Sequence, residues 1–443
     1  MIDQLFETLD AVESVFWTYG GAPALFIFGF YLSYKSRFFQ IRQFPEVIKI
    51  FKAFATEKQD DTSRGVSPIY AFFTSIGGCI GVGNIVSVCI AVQLGGPGAV
   101  FWMWIAAILG MLVKYGEIYL GVKFRIKNNE NSYTGGPMIF LQHVPGGKIL
   151  SRIAAVLICL YGIELYIFRT VTESLSVCWN LNEYVVIFTL LFLVVGIGQG
   201  GVKIVGRLCA VIIPVFLVGY TSMGMWVLIA NAAKIPAMLY SIFAHAFSAH
   251  AAIGAFVGTS SNVMLSVRHG VQRACYTGDI GVGYASVVHA ETKEAVPAKQ
   301  AIFGIIDIFL DSFIVCTMSL FLILLTDTWH QNIHVNVMVA QALSKTFPFV
   351  FAIWPLFIFL LGYSTLIAFF AAGRRAATFL SPRYGAQFFV ALATCAFIIF
   401  SFVGTSNNCQ SMMAIVGALL LMINLYGLFF LRDEISFDLR SHK

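Results

Sequence analysis

A cluster of glycines inside a long apolar segment constrains the fold of this chain more than any other feature. Gly77, Gly78, Gly81 and Gly83 lie within the uncharged stretch 67–94, which is long enough to cross a lipid bilayer. Each glycine destabilises a helix by roughly 1 kcal/mol relative to alanine. Where a helix opens inside lipid, its backbone N–H and C=O groups find no water. The cluster therefore predicts an unwound segment whose backbone is satisfied by protein, ions or a ligand.

An unwound segment of this kind has two ends with opposite electrostatic character. One half-helix would present N–H groups to an anion, and the other would present carbonyl groups to a cation. We interpret the segment as a binding site. The alternative is a helix crossing that holds no ligand, because small residues also allow helices to approach each other closely.

The composition indicates a membrane protein. Of the 443 residues, 58% are hydrophobic and 11% are charged, whereas soluble domains carry about 25% charged residues. These values predict an all-α polytopic membrane protein and argue against a nucleic-acid-binding class. The nine cysteines form no C-x-x-C pair, so neither a transition-metal site nor another cofactor is predicted.

Eleven transmembrane helices are predicted from the apolar segments. They are 16–34, 67–94, 99–122, 150–175, 184–197, 210–230, 250–265, 302–325, 347–371, 388–403 and 412–431. With the N-terminus outside, 24 of the 28 Lys and Arg residues fall in inner loops or in the C-terminal tail. The positive-inside rule therefore predicts an external N-terminus and a cytoplasmic C-terminus in a plasma membrane, the inner membrane of a bacterium.

Two of the predicted spans are interrupted, and they run in opposite directions. The second is interrupted at 77–84 and the seventh at 253–261, where two more glycines stand. Matching discontinuous helices in two halves of a chain indicate the midplane site of a secondary transporter. Spans two to six and seven to eleven would then form a 5+5 inverted repeat. The predicted segments are an N-terminal part with an amphipathic surface helix and one extra span (1–65), a first repeat (66–231), a second repeat (232–432) and a cytoplasmic tail (433–443).

Two other classes of membrane protein are the alternatives. An ion channel would more naturally show rings of pore-lining residues, and a membrane enzyme would show a nucleophile with its base or a pair of catalytic carboxylates. The sequence shows neither pattern, so we predict a transporter and not an enzyme. The sequence determines no oligomeric state.

Several motifs extend the pattern beyond the glycine cluster. They are Gly81-Val82-Gly83-Asn84, Gly95-Gly96-Pro97-Gly98-Ala99-Val100-Phe101-Trp102-Met103-Trp104, Tyr133-Thr134-Gly135-Gly136-Pro137-Met138 and Asp311-Ser312-x-x-Val315-Cys316-Thr317. Together they resemble the alanine or glycine:cation symporter family over nearly the whole chain. The resemblance implies a LeuT-type fold preceded by one extra N-terminal helix, with sodium-coupled uptake of a small neutral amino acid. Proton coupling with an altered substrate is the alternative within transport.

The resemblance also implies a substrate site and a sodium site at the first break. The predicted substrate-binding residues are Ile80, Gly81, Val82, Gly83, Asn84, Phe168, Thr259 and Ser260, and the predicted sodium ligands are Gly77, Ile80, Ser364 and Thr365. Backbone N–H groups of 81–84 would hold the substrate carboxylate. The Asn84 amide would contact the substrate or, alternatively, cap the helix. For Ser364 and Thr365 the alternative is a hydrogen bond to the carbonyl four residues earlier.

Charged residues in or near the spans are candidates for gating or ion coupling. They are Lys114, Glu117, Glu164, Asp279 and Asp311. Lys114 and Glu117 stand three residues apart on one helix face, so we expect them to pair with each other. Proton coupling would involve Asp307, Asp311 or Glu164.

The fourth span departs from the pattern of the family. The family carries Gly-Asn-x-x-Gln there, and this chain has Leu165 and Phe168 at the Asn and Gln positions. A phenyl ring cannot form the hydrogen bond that a glutamine side chain offers, so the resemblance implies an altered pocket. A second departure at 277–283 is predicted to lie in an inner loop that gates the cytoplasmic side, with Asp279 at the acidic position of the family.

Overall fold

The computed structural model is helical along most of its described length, which comprises residues 2–57, 64–128, 132–247, 262–331, 333–403 and 406–439. In the first half the α-helices are α1 (Ile2–Phe16), α2 (Ala22–Lys35), α3 (Phe39–Arg42), α4 (Phe44–Thr56), α5 (Pro68–Cys79), α6 (Ser87–Gly95), α7 (Gly98–Lys123), α8 (Pro137–Phe140), α9 (Gly147–Tyr161), α10 (Leu165–Cys178), α11 (Glu183–Gly198), α12 (Gly201–Ala230) and α13 (Ile235–Phe247). In the second half they are α14 (Asn262–Thr277), α15 (Tyr284–Ala290), α16 (Pro297–Ile308), α17 (Thr317–Leu325), α18 (Val335–Ser344), α19 (Val350–Leu380), α20 (Gly385–Val403) and α21 (Ser406–Phe430).

Shorter elements connect these helices. The 3₁₀ turns are Val82–Asn84, Leu141–His143, Ala232–Lys234 and Thr328–His330, and the π-helical segments are Trp17–Gly21 and Phe309–Cys316. Strands β1 (Ile126–Lys127) and β2 (Tyr133–Thr134) pair antiparallel.

Eight helices among the described residues are long and apolar enough to cross a membrane, and the bent pair α5–α6 raises the number to nine. The apolar helix α11 has 16 residues and is shorter than these helices. A helical, multi-pass membrane protein is therefore confirmed. The count of eleven spans and the division into repeats stay predictions.

Polar side chains lie inside the helix bundle, and large apolar side chains lie on its outside. Lys114, Asp307 and Asp311 are fully buried, whereas Phe192 and Trp226 are exposed. At the centre, α7 packs against α14 and α16, while α5 packs against α12 and α19. This distribution suits a surface that faces hydrocarbon and an interior that satisfies polar groups.

The predicted interruption of the second span is confirmed. Helix α5 begins at Pro68, whose missing N–H costs nothing in a first helical turn, and it ends at Cys79. The next residue, Ile80, leaves the helical region with φ −77° and ψ 92°. Helix α6 resumes at Ser87, and the two half-helices are bent by 53°.

The structure has a second break at 278–283, between α14 and α15. The sequence analysis assigned this segment to an inner loop, and this is a correction. The predicted interruption at 253–261 falls outside the described residues and stays a prediction. The backbone of 278–283 turns through left-handed φ values at Asp279 (47°), Gly281 (74°) and Gly283 (89°). Helix α14 is too polar for hydropathy to detect, yet side chains such as Arg273 are buried against protein and not exposed to lipid.

A third break divides the fourth span, which the sequence analysis treated as continuous. Helix α9 ends at Tyr161 and α10 begins at Leu165. Between them Glu164 has φ 48°, a left-handed conformation that is uncommon outside glycine. The chain passes close to α19 here, because a Cβ on Gly162 would lie 2.7 Å from Gly373 Cα. Only glycine fits that approach.

Candidate substrate and ion site

The three helix breaks meet at one place in the interior. The Cys79 thiol, at the end of α5, donates to Asp279 Oδ2 at 3.3 Å. The Tyr161 hydroxyl, at the end of α9, donates to Asp279 Oδ1 at 3.0 Å. Asp279 therefore links the second break to the first and the third. The sequence analysis placed it in a gating loop, and the structure places it at the centre of the candidate site.

A narrow cavity of about 20 Å³ lies where the breaks meet. It is lined by Gly78, Cys79, Gly81, Gly83, Asn84, Tyr161, Glu164, Ile167, Tyr276, Thr277, Asp279, Thr365 and Phe369. Seven of these residues lie in the first break (77–84), in the second break (278–283) or next to the second break, so opened backbone forms much of the wall. They are Gly78, Cys79, Gly81, Gly83, Asn84, Thr277 and Asp279. A concave site with a few convergent polar groups is the usual form of a small-molecule site.

Glycines at the first break let neighbouring side chains approach its backbone. A Cβ on Gly81 would lie 2.5 Å from Thr365 Oγ1, and a Cβ on Gly78 would lie 2.6 Å from the Tyr284 hydroxyl oxygen. Real Cβ atoms do not tolerate such distances, so any side chain at these positions would displace its neighbour. The glycines that mark the break in the sequence therefore allow side chains of α19 and α15 to pack closely against its backbone.

Asn84 has the capping role that the sequence analysis named as its alternative. Its Oδ1 accepts from the Gly81 N–H at 2.9 Å, and its Nδ2 donates to Asp311 Oδ1 at 2.5 Å. Both ends of the amide are occupied by protein groups. The residue lines the cavity, so contact with substrate stays a prediction beside this structural role.

Asp311 is tied to both breaks by hydrogen bonds. Its Oδ2 accepts from Thr277 Oγ1 at 3.2 Å and from Ser312 Oγ at 2.8 Å, in addition to the Asn84 bond at Oδ1. A carboxylate with three donors is held as a structural centre. It connects α14 and the first break through one π-helical segment, Phe309–Cys316.

Lys114 and Glu117 do not pair with each other, and this expectation was wrong. Lys114 Nζ lies 2.8 Å from Asp307 Oδ2, with both side chains fully buried. It also donates to Gly278 O at 2.8 Å and to Cys79 Sγ at 2.9 Å. Gly278 O is free to accept because the backbone is open at the second break. The spacing of Lys114 and Glu117 on one helix does not reveal this acceptor.

Glu117 holds the other end of the same break. Its Oε2 accepts from the Gly283 N–H at 3.0 Å and from Asn424 Nδ2 at 2.6 Å. Asn424 also donates to Gly281 O at 3.0 Å. One turn of α7 therefore supplies a hydrogen-bond donor to the start of the break and an acceptor to its end, which fixes the unwound backbone of 278–283 in place.

The predicted sodium ligands on α19 lie beside the first break. Thr365 Oγ1 lies 3.0 Å from Leu361 O and 3.3 Å from Gly77 O, and its single hydrogen can be donated to either carbonyl. Ser364 Oγ donates to Leu361 O at 2.8 Å. The bond to the carbonyl four residues earlier, the alternative named for both residues, is thus available to Thr365, whereas Ser364 bonds to the carbonyl three residues earlier. The sodium role is not tested by these contacts and stays a prediction.

The remaining predicted substrate residues fall into three groups. Ile80 and Val82 are fully buried at the first break but are not among the lining residues. Phe168 faces away from the cavity and stacks on Phe397 at 4.3 Å between ring centroids. Thr259 and Ser260 lie outside the described residues.

Four lining residues escaped the sequence analysis, namely Tyr161, Ile167, Tyr276 and Phe369. Cys79 and Thr277 lie in the segments 77–84 and 277–283 that it singled out, but it did not name them as site residues. The glycine spacing at 278, 281 and 283 was the available signal, because it repeats the pattern of the first break. Tyr161 and Phe369 carry no such mark. They lie in apolar spans and reach the cavity through the packing of α9 against α19.

Comparison with known proteins identifies relatives along the whole chain. Residues 2–443 match the sodium:alanine symporter family. An uncharacterized transporter of Haemophilus influenzae is 33% identical over 331 residues, which cover 73% of this chain and 70% of that protein. The sodium/alanine symporter AgcS of Methanococcus maripaludis is 31% identical over 299 residues, which cover 66% of this chain and 64% of AgcS.

The fold also resembles that of a solved transporter structure. The crystal structure of MhsT in complex with L-phenylalanine matches with a TM-score of 0.60 and 14% identity, covering 85% of this chain and 91% of MhsT. At this level of identity the match concerns the LeuT-like fold alone.

Proposed function

The chain belongs to the sodium:alanine symporter family, and from that premise we propose that it couples sodium entry to the uptake of a small neutral amino acid, of the alanine or glycine type. The observation that carries the proposal is the meeting of two broken helices at one cavity, through the bond between Cys79 and Asp279. Transporters place substrate and coupling ion at such discontinuities near the midplane.

The hydroxyl pair on α19 suits a sodium ion that binds reversibly. If Thr365 and Ser364 donate their hydrogens to Leu361 O, their oxygen lone pairs remain free for a cation beside Gly77 O. The back-bonded geometry and the sodium role are therefore compatible. Neutral oxygen ligands hold a monovalent ion weakly enough for it to leave again.

The substrate carboxylate would be held by N–H groups of the turn 81–84. The Gly81 N–H is donated to Asn84, so the N–H groups of Val82 and Gly83 are the proposed donors. Sodium and carboxylate would then bind the same unwound segment from its two ends. Ordering of that backbone by one ligand assists the other, and such coupling is reciprocal.

We also propose the finer architecture that the family resemblance implies. Eleven spans would form a 5+5 inverted repeat after one extra helix, with the N-terminus outside and the C-terminus in the cytoplasm of a bacterial cell. In this arrangement α5–α6 and α14–α15 are equivalent elements of the two repeats. Their relative movement would expose the cavity alternately to each side.

Proton coupling is the second candidate, and one observation favours it at a specific residue. Of the three carboxylates considered for this role, Asp307 pairs with Lys114 and Asp311 accepts three hydrogen bonds. Glu164 Oε2 and Asp307 Oδ1 both have no hydrogen-bond partner within the described residues, but only Glu164 lines the cavity. A proton would bind there with the least rearrangement.

Uptake into proteoliposomes tests the proposed function. Labelled alanine and glycine are supplied with a sodium gradient or with a proton gradient, each imposed alone. We expect sodium-driven uptake in the wild type and a loss of at least about tenfold in the double variant Ser364→Ala/Thr365→Val, because two oxygen ligands are removed. Uptake driven by protons alone would transfer the coupling role to Glu164. No uptake of any amino acid under either gradient would contradict the proposal.

Thr394→Val is the matched control for this experiment. Thr394 is a threonine on α20 whose hydroxyl also bonds to the carbonyl four residues earlier, Val390 O, at 2.8 Å. It is not among the residues that line the cavity. Its replacement removes a hydroxyl of the same kind from a helix interior, so sodium-driven uptake should stay close to the wild-type value.

A further inference from the structure

The carboxyl group of Glu164 lines the cavity, and none of the described lining residues is a cation. The residue is 3% exposed, and Oε2 has no hydrogen-bond partner in the part of the chain that the structure describes. Glu164 occupies the N-cap position of α10, where the helix dipole favours a negative charge. A buried carboxylate oxygen of this kind is costly unless a donor or a cation joins it.

A second carboxylate, that of Asp279, faces the same cavity. Lysines, arginines and histidines are missing from the described residues that line it. The nearby Lys114 cannot serve, because its three N–H donors are taken by Asp307, Gly278 O and Cys79. The cavity therefore presents two acidic groups and no basic one.

Aromatic rings form the wall beside these two carboxylates. Tyr161, Tyr276 and Phe369 line the cavity, and Tyr161 meets Phe369 edge to face at 5.2 Å between centroids. The buried Tyr276 hydroxyl has no hydrogen-bond partner among the described residues. Aromatic faces next to carboxylates are a common environment for organic cations.

A neutral amino acid brings one ammonium group to a cavity that has two acidic side chains, Glu164 and Asp279. A second ammonium group on the substrate would supply Glu164 Oε2 with the donor that it lacks among the described residues. We propose that the preferred substrate is a short-chain amino acid with a second ammonium group, which binds Glu164 beside the aromatic rings. This inference rests on the sodium coupling of the proposed function, and it replaces the neutral amino acid proposed there by a cationic one.

Two ligands of nearly equal size test the inference. 2,4-Diaminobutyrate ends in an ammonium group where norvaline ends in a methyl group, and both are used as racemates. Binding to the purified full-length protein is measured by isothermal titration calorimetry in sodium chloride. We expect diaminobutyrate to bind the wild type at least about tenfold more tightly than norvaline, as for hydrogen bonds to a charged group.

The variant Glu164→Gln should bring the ratio of the two affinities close to one. Asp279→Asn should lower the same ratio, and it serves as the test if Glu164→Gln folds poorly. Glu173→Gln is the matched control, since Glu173 lies on the same helix and pairs with Arg169 outside the cavity. It should leave the ratio unchanged. Equal affinities of the two ligands for the wild type, or an unchanged ratio in Glu164→Gln, would overturn the inference.

The same titrations separate this inference from the proposed function. Sodium-dependent binding of alanine without preference for diaminobutyrate overturns the inference and leaves the proposed function intact. Absence of sodium-dependent binding for every amino acid overturns both. Proton-driven alanine uptake that Glu164→Gln abolishes, again without that preference, overturns the inference and assigns Glu164 to proton coupling.

Discussion

Replacement of Lys114 by methionine should destabilise the protein by about 3–5 kcal/mol, the usual loss when one partner of a buried ion pair is removed. The variant leaves Asp307 with a fully buried charge and no cation. It also leaves Gly278 O without its ammonium donor, which loosens the second break. The measurement is thermal unfolding of the detergent-purified protein, where we expect a clearly lower Tm and poor recovery.

A double variant and a surface variant make this prediction specific. Lys114→Met combined with Asp307→Asn removes both charges, so it should recover part of the lost stability. Lys49→Met breaks a surface ion pair with Glu46 in which the lysine side chain is 74% exposed. Surface pairs of that kind contribute about 0–1 kcal/mol to the free energy of unfolding. A Tm for Lys114→Met as high as that of Lys49→Met would show that the buried pair does not hold the two breaks together.

Gly81→Ala should weaken sodium-dependent uptake by about 10- to 100-fold, through the apparent affinity for sodium. The added Cβ would lie 2.5 Å from Thr365 Oγ1, so the hydroxyl must move away from the first break. Overpacking of an interior costs about 1–3 kcal/mol, and each 1.4 kcal/mol changes an equilibrium constant tenfold. The measurement is the sodium concentration at half-maximal alanine uptake in proteoliposomes.

The cause of that loss can be separated from general damage. Gly196→Ala in α11 is the control, since no atom lies within 4 Å of the added Cβ, and its uptake should match the wild type. Gly81→Ala/Thr365→Ala relieves the steric clash but lacks the hydroxyl. It should therefore recover thermal stability without recovering sodium affinity. Wild-type sodium affinity in either Gly81 variant would argue against a sodium ligand at Thr365.

The elements that follow from local rules were predicted closely. The start of α5 at Pro68 and the end of α6 at Gly95 agree with the predicted second span, 67–94. The first break at 77–84 follows from glycine propensity within an apolar segment. Each of these features depends on residues that are near one another in the chain, so no knowledge of packing was required.

The second break shows where a local rule fails. Hydropathy treats α14 as a loop, because polar residues such as Arg273 lower its average. In the structure α7 packs along that helix, and polar side chains such as Arg273 are buried against protein. Hydropathy reports how a segment partitions between water and lipid, and it does not report polar groups that the protein itself buries.

The sequence by itself determined the membrane class, the first break and the family of this chain, because apolar length, glycine propensity and motifs are properties of contiguous residues. Tertiary structure decided which charges meet. Lys114 pairs with Asp307, 193 positions away along the chain, and not with Glu117 on its own helix face. It also decided that Glu164 and Asp279 share one cavity. Electrostatic interactions act through space, so partners from different helices are fixed only when those helices pack.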